Sequence, residues 1–266
     1  MPIHPTAVVD RRAELDPTVD VGPYVVIEGP VRVGARTRIM PFAYLNGHTT
    51  LGADNVVHPG AVIGHEPQDW SYKGLPTGVR IGDRNLLREH CEIHRATREG
   101  GFTEVGDDNL IMSQAHVGHD SRIGSGVVLA TGATLGGHVT IGDRAFISGN
   151  CVIHQHCRVG RLALMRGLSR TSRDVPPFVI SDATSEARAL NLVGLRRAGF
   201  DRAAVQALRR AFRILFRTPT NLSAAIARVE AEVRSAEVDE LLAFIRSSTR
   251  GVIRARRTSA PGDDGD

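Results

Sequence analysis

The chain predicts a mainly β fold in which short strands wind into a solenoid, followed by a small C-terminal α-helical domain. Aliphatic residues recur every six positions from Ile3, Val9, Leu15, Val21 and Ile27 to Ile147, Ile153 and Val159, with only two interruptions. Glycines punctuate the series, among them Gly22, Gly34, Gly52, Gly118, Gly136 and Gly160. From about Ser185 the apolar period becomes helical.

A six-residue period with one large inward aliphatic and one small inward residue suits short strands joined by tight turns. Glycine accepts the turn conformations that side chains resist, and β-branched aliphatics suit strands. One hexad cannot bury its apolar side, whereas stacked coils bury a continuous column. The phase resumes intact after residues 65–80 and after residues 95–104, so both segments are loops thrown out of the wall, where function tends to collect. Val175-Pro176-Pro177 closes the coil, because proline blocks further strand pairing. Residues 1–184 therefore form the solenoid domain. In residues 185–253, Asp201 caps a helix carrying Val205, Leu208, Phe212 and Leu215 on one face, Asn221 starts a second, and Val238 to Ile245 continues the pattern. Residues 254–266 turn basic and then Gly-Asp rich, the composition of a disordered tail.

The composition is that of a soluble globular protein. No apolar stretch approaches a membrane span, which argues against stable membrane insertion. The repeat begins by the third residue and leaves no room for a signal peptide, so the cytosol is the expected compartment. The net charge of +4 comes almost wholly from arginine, Lys73 being the one lysine. No nucleic-acid recognition motif accompanies that charge, and an acidic protein partner or a phosphate-bearing substrate suits it better. Cys91, Cys151 and Cys157 lack metal-ligand spacing and share one place in the hexad, where other repeats carry Ala, Val, Ser, Thr or Asn. They read as small core residues of a reducing compartment.

The hexads resemble those of the hexapeptide-repeat transferases, whose strands wind a left-handed parallel β-helix with three hexads per turn. The handedness comes from this resemblance, since the general crossover preference is right-handed. With three hexads per coil, residues eighteen apart stack at roughly 4.8 Å. His119 then stacks with Gly137 and Gln155, flanked on one side by Asp120, His138 and His156 and on the other by Gly118, Gly136 and His154. His119 followed by Asp120 is the expected chemical centre, because a neutral imidazole accepts a proton and a carboxylate orients it. Three imidazoles on neighbouring coils also form a set that zinc accepts, as in the carbonic anhydrases of this helix type. His116 and His119 are closer in sequence than that family's ligands, and no metal is expected.

Strings in order along the chain narrow the resemblance. They include Asn46-Gly47-His48-Thr49, Ile93-His94-Arg95, His116-Val117-Gly118-His119-Asp120, Ile153-His154-Gln155, Asp174-Val175-Pro176-Pro177, Gly194-Leu195-Arg196-Arg197 and Ser248-Thr249-Arg250-Gly251. Together they resemble the UDP-N-acetylglucosamine O-acyltransferases that begin lipid A synthesis. The resemblance implies transfer of a 3-hydroxyacyl chain from acyl carrier protein to the sugar 3-hydroxyl, without a cofactor, by a cytoplasmic homotrimer with active sites between subunits. It implies that His119 deprotonates the hydroxyl, Asp120 orients it and the Gly137 N–H receives the oxyanion. Asp69, His94, His116, His138, His154 and Gln155 become substrate-binding residues, Gly167 sets acyl length, and Asn191 and Arg197 bind the nucleotide. The Arg-rich C-terminal region is available to the acidic carrier protein.

The chain departs from the family where a loop lysine is Ser71, an acidic residue is Val193 and a second arginine is Ala198. Each lost charge-assisted contact costs about 1.5–3 kcal/mol. An N-acyltransferase acting on a 3-amino sugar nucleotide stays open at this point, as do a zinc-dependent hydratase and a non-catalytic scaffold.

Overall fold

A computed structural model describes residues 3–255. Strands of mostly two residues coil into a left-handed parallel β-helix of triangular section. Every third strand joins the same wall, which gives sheets of nine, eight and ten strands among the described residues. One wall runs through Val62–Ile63, Glu92–Ile93, His116–Val117, Thr134–Leu135 and Val152–Ile153, all parallel and in register. The hexad aliphatics fill the interior: Ile27, Leu45, Ile63, Leu87, Ile111, Leu129 and Leu135 are fully buried.

The small inward position does more than save space. Asn55, Asn85 and Asn109 stack there, and each side-chain oxygen accepts the N–H of the residue one coil on: Asn85, Asn109 and Val127 at 2.7–2.9 Å. Buried amides are thus satisfied by the repeat itself. Cys91, Cys151 and Cys157 occupy equivalent places and are fully buried. Burial pushes the Cys91 thiol up to about 12 and that of Cys157 to about 11, so both are inert packing.

Three expectations need correction. The loops are shorter than residues 65–80 and 95–104, because Gly78–Ile81 pairs with His48–Leu51 and with Phe102–Val105 as four-residue strands. The prolines do not end the coil: Val175 bridges Val159, and Val179–Asp182 adds a further parallel strand beside Leu164–Met165. Proline withholds only its own N–H, and the next strand starts two residues later. Nor does helix begin at Ser185, because Glu186–Leu190 turns back antiparallel on Val179–Asp182.

Helix follows in α1 (Leu192–Arg197), α2 (Arg202–Arg217), α3 (Leu222–Glu232) and α4 (Ala236–Arg246). The expected caps are in place: Asp201 accepts from the Ala204 N–H and Asn221 from the Ala224 N–H. Leu208, Phe212 and Leu215 of α2 are buried, while Val205 is half-buried. Two arginines of the β-helix clamp α4. Arg161 pairs with Glu240 at 2.7 Å, and Arg158 pairs with the buried Asp174 at 3.0 Å while its guanidinium lies 4.4 Å over the Phe244 ring. Of the expected disordered tail, Arg254 bridges Glu186, and residues 256–266 lie outside the described residues. No described helix is long and apolar enough to cross a membrane.

Candidate active site

The walls meet at corners, and one corner column carries Asp120, His138 and His156, each with φ near +60°. That left-handed turn position costs most residues about 1 kcal/mol or more, yet aspartate and asparagine tolerate it. The turn throws these side chains outward beside His119. Backbone bonds lock the column, since His138 N–H donates to the His119 carbonyl at 2.8 Å and His156 N–H to that of Gly137 at 3.0 Å.

His119 Nδ1 lies 2.8 Å from Asp120 Oδ2. The same oxygen accepts the Thr97 hydroxyl at 2.8 Å and the Thr97 N–H at 3.1 Å. Burial alone raises the Asp120 carboxyl, but the bonds from His119 and Thr97 outweigh it and hold the group at about 2. An ionised Asp120 accepts only, so Nδ1 of His119 carries the proton and Nε2 presents its lone pair to the cleft. The Asp69 carboxylate stands 3.4 Å from that nitrogen, so a donor lodged there meets two acceptors. Asp69 itself is fixed by the Ser71 N–H at 2.7 Å, which lowers its carboxyl below the ordinary range.

Gly137 faces the same nitrogen. A β-carbon there would lie 2.4 Å from His119 Nε2, so only glycine lets its backbone approach. Its N–H donates to no backbone acceptor among the described residues and is available to a ligand.

The cleft, about 390 Å³, is lined by Asp69, His94, His116, His119, Gly137, His154 and Gln155 among others. Seven of the expected site residues therefore converge. His138 adjoins them from the corner, edge-on to His119 with ring centroids 5.2 Å apart and its Nε2 3.8 Å from Asp120. Burial lowers its basicity, and the Asp120 charge opposes that only in part. Gly167 is not brought to the cleft of this chain; it is exposed on the turn between Leu164–Met165 and Arg170–Thr171. Asn191 is not either. Its oxygen caps α1 at the Gly194 N–H and its amide donates to the Leu162 carbonyl, so the side chain is spent on docking the helix. Arg197 is exposed on the last turn of α1.

Sequence reasoning missed Thr97 and Arg250 beside the site, and it did not pair Glu92 with His116. Thr97 sits in a loop, where the hexad phase says nothing about position. Arg250 donates to the Ser172 carbonyl and lies 3.3 Å from His154 Nδ1, although the string Ser248-Thr249-Arg250-Gly251 marks it out. Glu92 is the eighteen-residue neighbour of His116 once the six extra residues of the second loop are discounted. Lys73 turns back to the Trp70 carbonyl within its own loop, and Trp70 is fully exposed.

Comparison with known proteins fits this geometry. A profile described as the second domain of UDP-N-acetylglucosamine O-acyltransferases matches residues 174–253, and the bacterial hexapeptide-transferase profile matches residues 30–65 and 102–137. The acyl-(acyl-carrier-protein)–UDP-N-acetylglucosamine O-acyltransferase of Syntrophobacter fumaroxidans is 46% identical over 96% of this chain and 100% of its own. That of Thermodesulfovibrio yellowstonii is 42% identical over 95% and 99%. The crystal structure of the UDP-N-acetylglucosamine acyltransferase of Bacteroides fragilis superposes with a TM-score of 0.90 at 38% identity, covering 95% of this chain and 100% of that one.

Proposed function

Because the chain belongs to the UDP-N-acetylglucosamine O-acyltransferase family, we propose that His119 is the general base by which it acylates the 3-hydroxyl of that sugar nucleotide. The protein is an enzyme that transfers an acyl group from acyl carrier protein to UDP-N-acetylglucosamine. The acyl chain is a 3-hydroxyacyl chain and the product the first intermediate of lipid A. The observation that carries the mechanism is the His119 ring, protonated at Nδ1 by its bond to Asp120 and open at Nε2 toward Gly137 and Asp69.

Nε2 takes the proton of the sugar hydroxyl as the oxygen attacks the thioester carbonyl. Asp120, ionised and triply bonded, stabilises the imidazolium that forms. The carbonyl oxygen gains charge beside the Gly137 N–H, a fixed dipole where charge develops. Collapse breaks the carbon–sulfur bond, and the imidazolium returns its proton to the leaving thiolate. No acyl-enzyme is needed, since the three cysteines are buried and, among the described residues, no serine lines the cleft. Asp69 accepts from the sugar, and His154 and Gln155 hold acyl chain and nucleotide. The acyl donor arrives on its carrier, so no cofactor takes part.

The cytoplasm is the site of action and a homotrimer the working form. Exposed Leu86, Phe146, Val152 and Leu168 supply apolar area for subunit contact, which would bring Gly167, Asn191 and Arg197 of neighbouring subunits toward one cleft. Arg202, Arg209 and Arg213 are exposed along α2 and suit an acidic carrier.

Purified enzyme should esterify UDP-N-acetylglucosamine with acyl-carrier-protein thioesters of graded length, and fail to make an amide with the 3-amino analogue at comparable rate. His119→Ala should lower kcat by roughly 10²–10⁴-fold while keeping the wild-type melting temperature. Full transfer by that variant would remove His119 from the mechanism, and preference for the amine would reassign the acceptor.

A further inference from the structure

The cleft holds a second convergence of side chains that takes no part in the proton transfer at His119. Glu92 and His116 are cross-strand partners on adjacent coils, and His94 lies two residues beyond Glu92 on the same outward face. Glu92 Oε2 is 3.2 Å from His116 Nδ1 and 3.7 Å from His94 Nε2, and all three donor atoms lie within 4.8 Å of one another. Ligand atoms bound tetrahedrally at about 2.0–2.2 Å from zinc stand roughly 3.3–3.6 Å apart, so these two separations bracket the required edge.

An independent feature points to a cation. His94 is 94% buried by its 6% exposure, and its Nδ1 lies 2.6 Å from the Glu66 backbone carbonyl. A carbonyl only accepts, so Nδ1 carries the proton and Nε2 is left as a bare lone pair. Among the described residues that buried nitrogen has no hydrogen-bond partner and faces a carboxylate oxygen, acceptor against acceptor. A ring held through one nitrogen by a carbonyl, with the other aimed at a shared point, is the arrangement of a metal-ligating histidine and its supporting shell. His116 completes the set once its neutral ring carries its proton on Nε2. The neighbouring group of His119, Asp120 and His138 also brings three donor atoms together, but there Asp120 Oδ2 already accepts from both Thr97 donors and lies 2.8 Å from His119 Nδ1.

We propose that Glu92, His94 and His116 form a binding site for a zinc-class divalent cation in the wall of the cleft, and that the bound ion competes with the acceptor sugar nucleotide. The site has one carboxylate and two imidazoles, a borderline set that favours zinc or cobalt over magnesium or calcium. A fourth position faces the cleft and takes water. The ion is an inhibitor here and takes no part in acyl transfer. Competition rests on the acyltransferase reading of the cleft; the site itself does not.

Calorimetric titration of the chelator-treated enzyme with zinc chloride, and the visible spectrum of its cobalt(II) form, test the site without any turnover. We expect one tight site per chain and tetrahedral cobalt bands, and Glu92→Gln should weaken zinc binding by about tenfold or more. His138→Ala should bind zinc as the wild type does. Added zinc should raise the apparent KM for UDP-N-acetylglucosamine with kcat unchanged, and Glu92→Gln should keep metal-free turnover and lose this inhibition. Equal zinc affinity in wild type and Glu92→Gln, or binding abolished by His138→Ala alone, would overturn the site. Zinc bound at Glu92 without effect on KM would overturn the competition. An enzyme inert toward the nucleotide sugar but still binding zinc through Glu92 would instead count against the acyltransferase reading alone.

Discussion

Two histidine–carboxylate groups share one cleft and put the same side-chain types to different use. Around Asp120, a loop threonine supplies two donors and His119 a third, all to Oδ2, an arrangement suited to aiming a ring. Around Glu92, the carboxylate is half-exposed, and among the described residues its polar side-chain contacts are the two imidazoles. The first arrangement is suited to moving a proton, while the second leaves lone pairs converging. What separates them is the supply of donors from neighbouring loops, not the residue types.

The strongest way to break the Asp120 group alone is Gly137→Ala. Its methyl would sit 2.4 Å from His119 Nε2 and 2.5 Å from Cε1, displacing the ring and crowding the approach to the Gly137 N–H. We expect kcat to fall roughly 10²–10³-fold, as when an oxyanion donor is lost, with zinc binding at Glu92 kept. A variant whose kcat stays within about threefold of wild type would separate Gly137 from the reacting atoms.

Asp120→Asn and Glu92→Gln together sharpen the contrast. Each swaps a carboxylate for an amide of equal size. The first should cost about 1.5–3 kcal/mol in kcat/KM, roughly ten- to a hundredfold, because the amide can donate to Nδ1 and turn the proton to Nε2. The second should leave metal-free kcat/KM unchanged. Equal losses in both would show that the groups act as one network. Thr97→Val is milder, since the backbone N–H to Asp120 survives. Loss of one hydroxyl donor should cost about 1 kcal/mol, roughly fivefold in kcat.

The same two groups mark how far the sequence could be read. The hexad count placed His119 over Gly137 and Gln155 and retired the cysteines, because a fixed six-residue period converts directly into three-dimensional register. The register fails wherever the chain leaves the coil. Thr97 was invisible for that reason, and the Glu92–His116 pairing was hidden because loop residues separate positions that are one coil apart. The antiparallel return of Glu186–Leu190 was missed too, since a strand that covers the end of a sheet needs no hexad. Asn191 carries a local role that the family string does not reveal: its side-chain oxygen accepts the Gly194 N–H and caps α1.

Acid stability distinguishes the groups by pH range. Burial lowers His138 and His94 below the ordinary imidazole value of 6.5, and the favourable contacts with Asp120 and with the Glu66 carbonyl offset it only partly. The unfolded chain therefore binds protons more readily than the folded one, so stability rises with pH across this range. It should start to fall as the pH drops below about 6.5 and reach its full loss below the folded values. Asp120 behaves oppositely to an unpaired carboxylate: held at about 2, it keeps its stabilising charge until well into acid. Its contribution is lost only as pH falls from about 4 toward that value. Denaturant midpoints measured from neutral to strongly acidic pH should thus show two limbs. His94→Gln should flatten the upper limb, and midpoints that rise on acidification toward pH 5 would contradict the burial argument. Asp120→Asn should remove its share of the lower limb and steepen the upper one, because His138 loses the charge that opposes its burial.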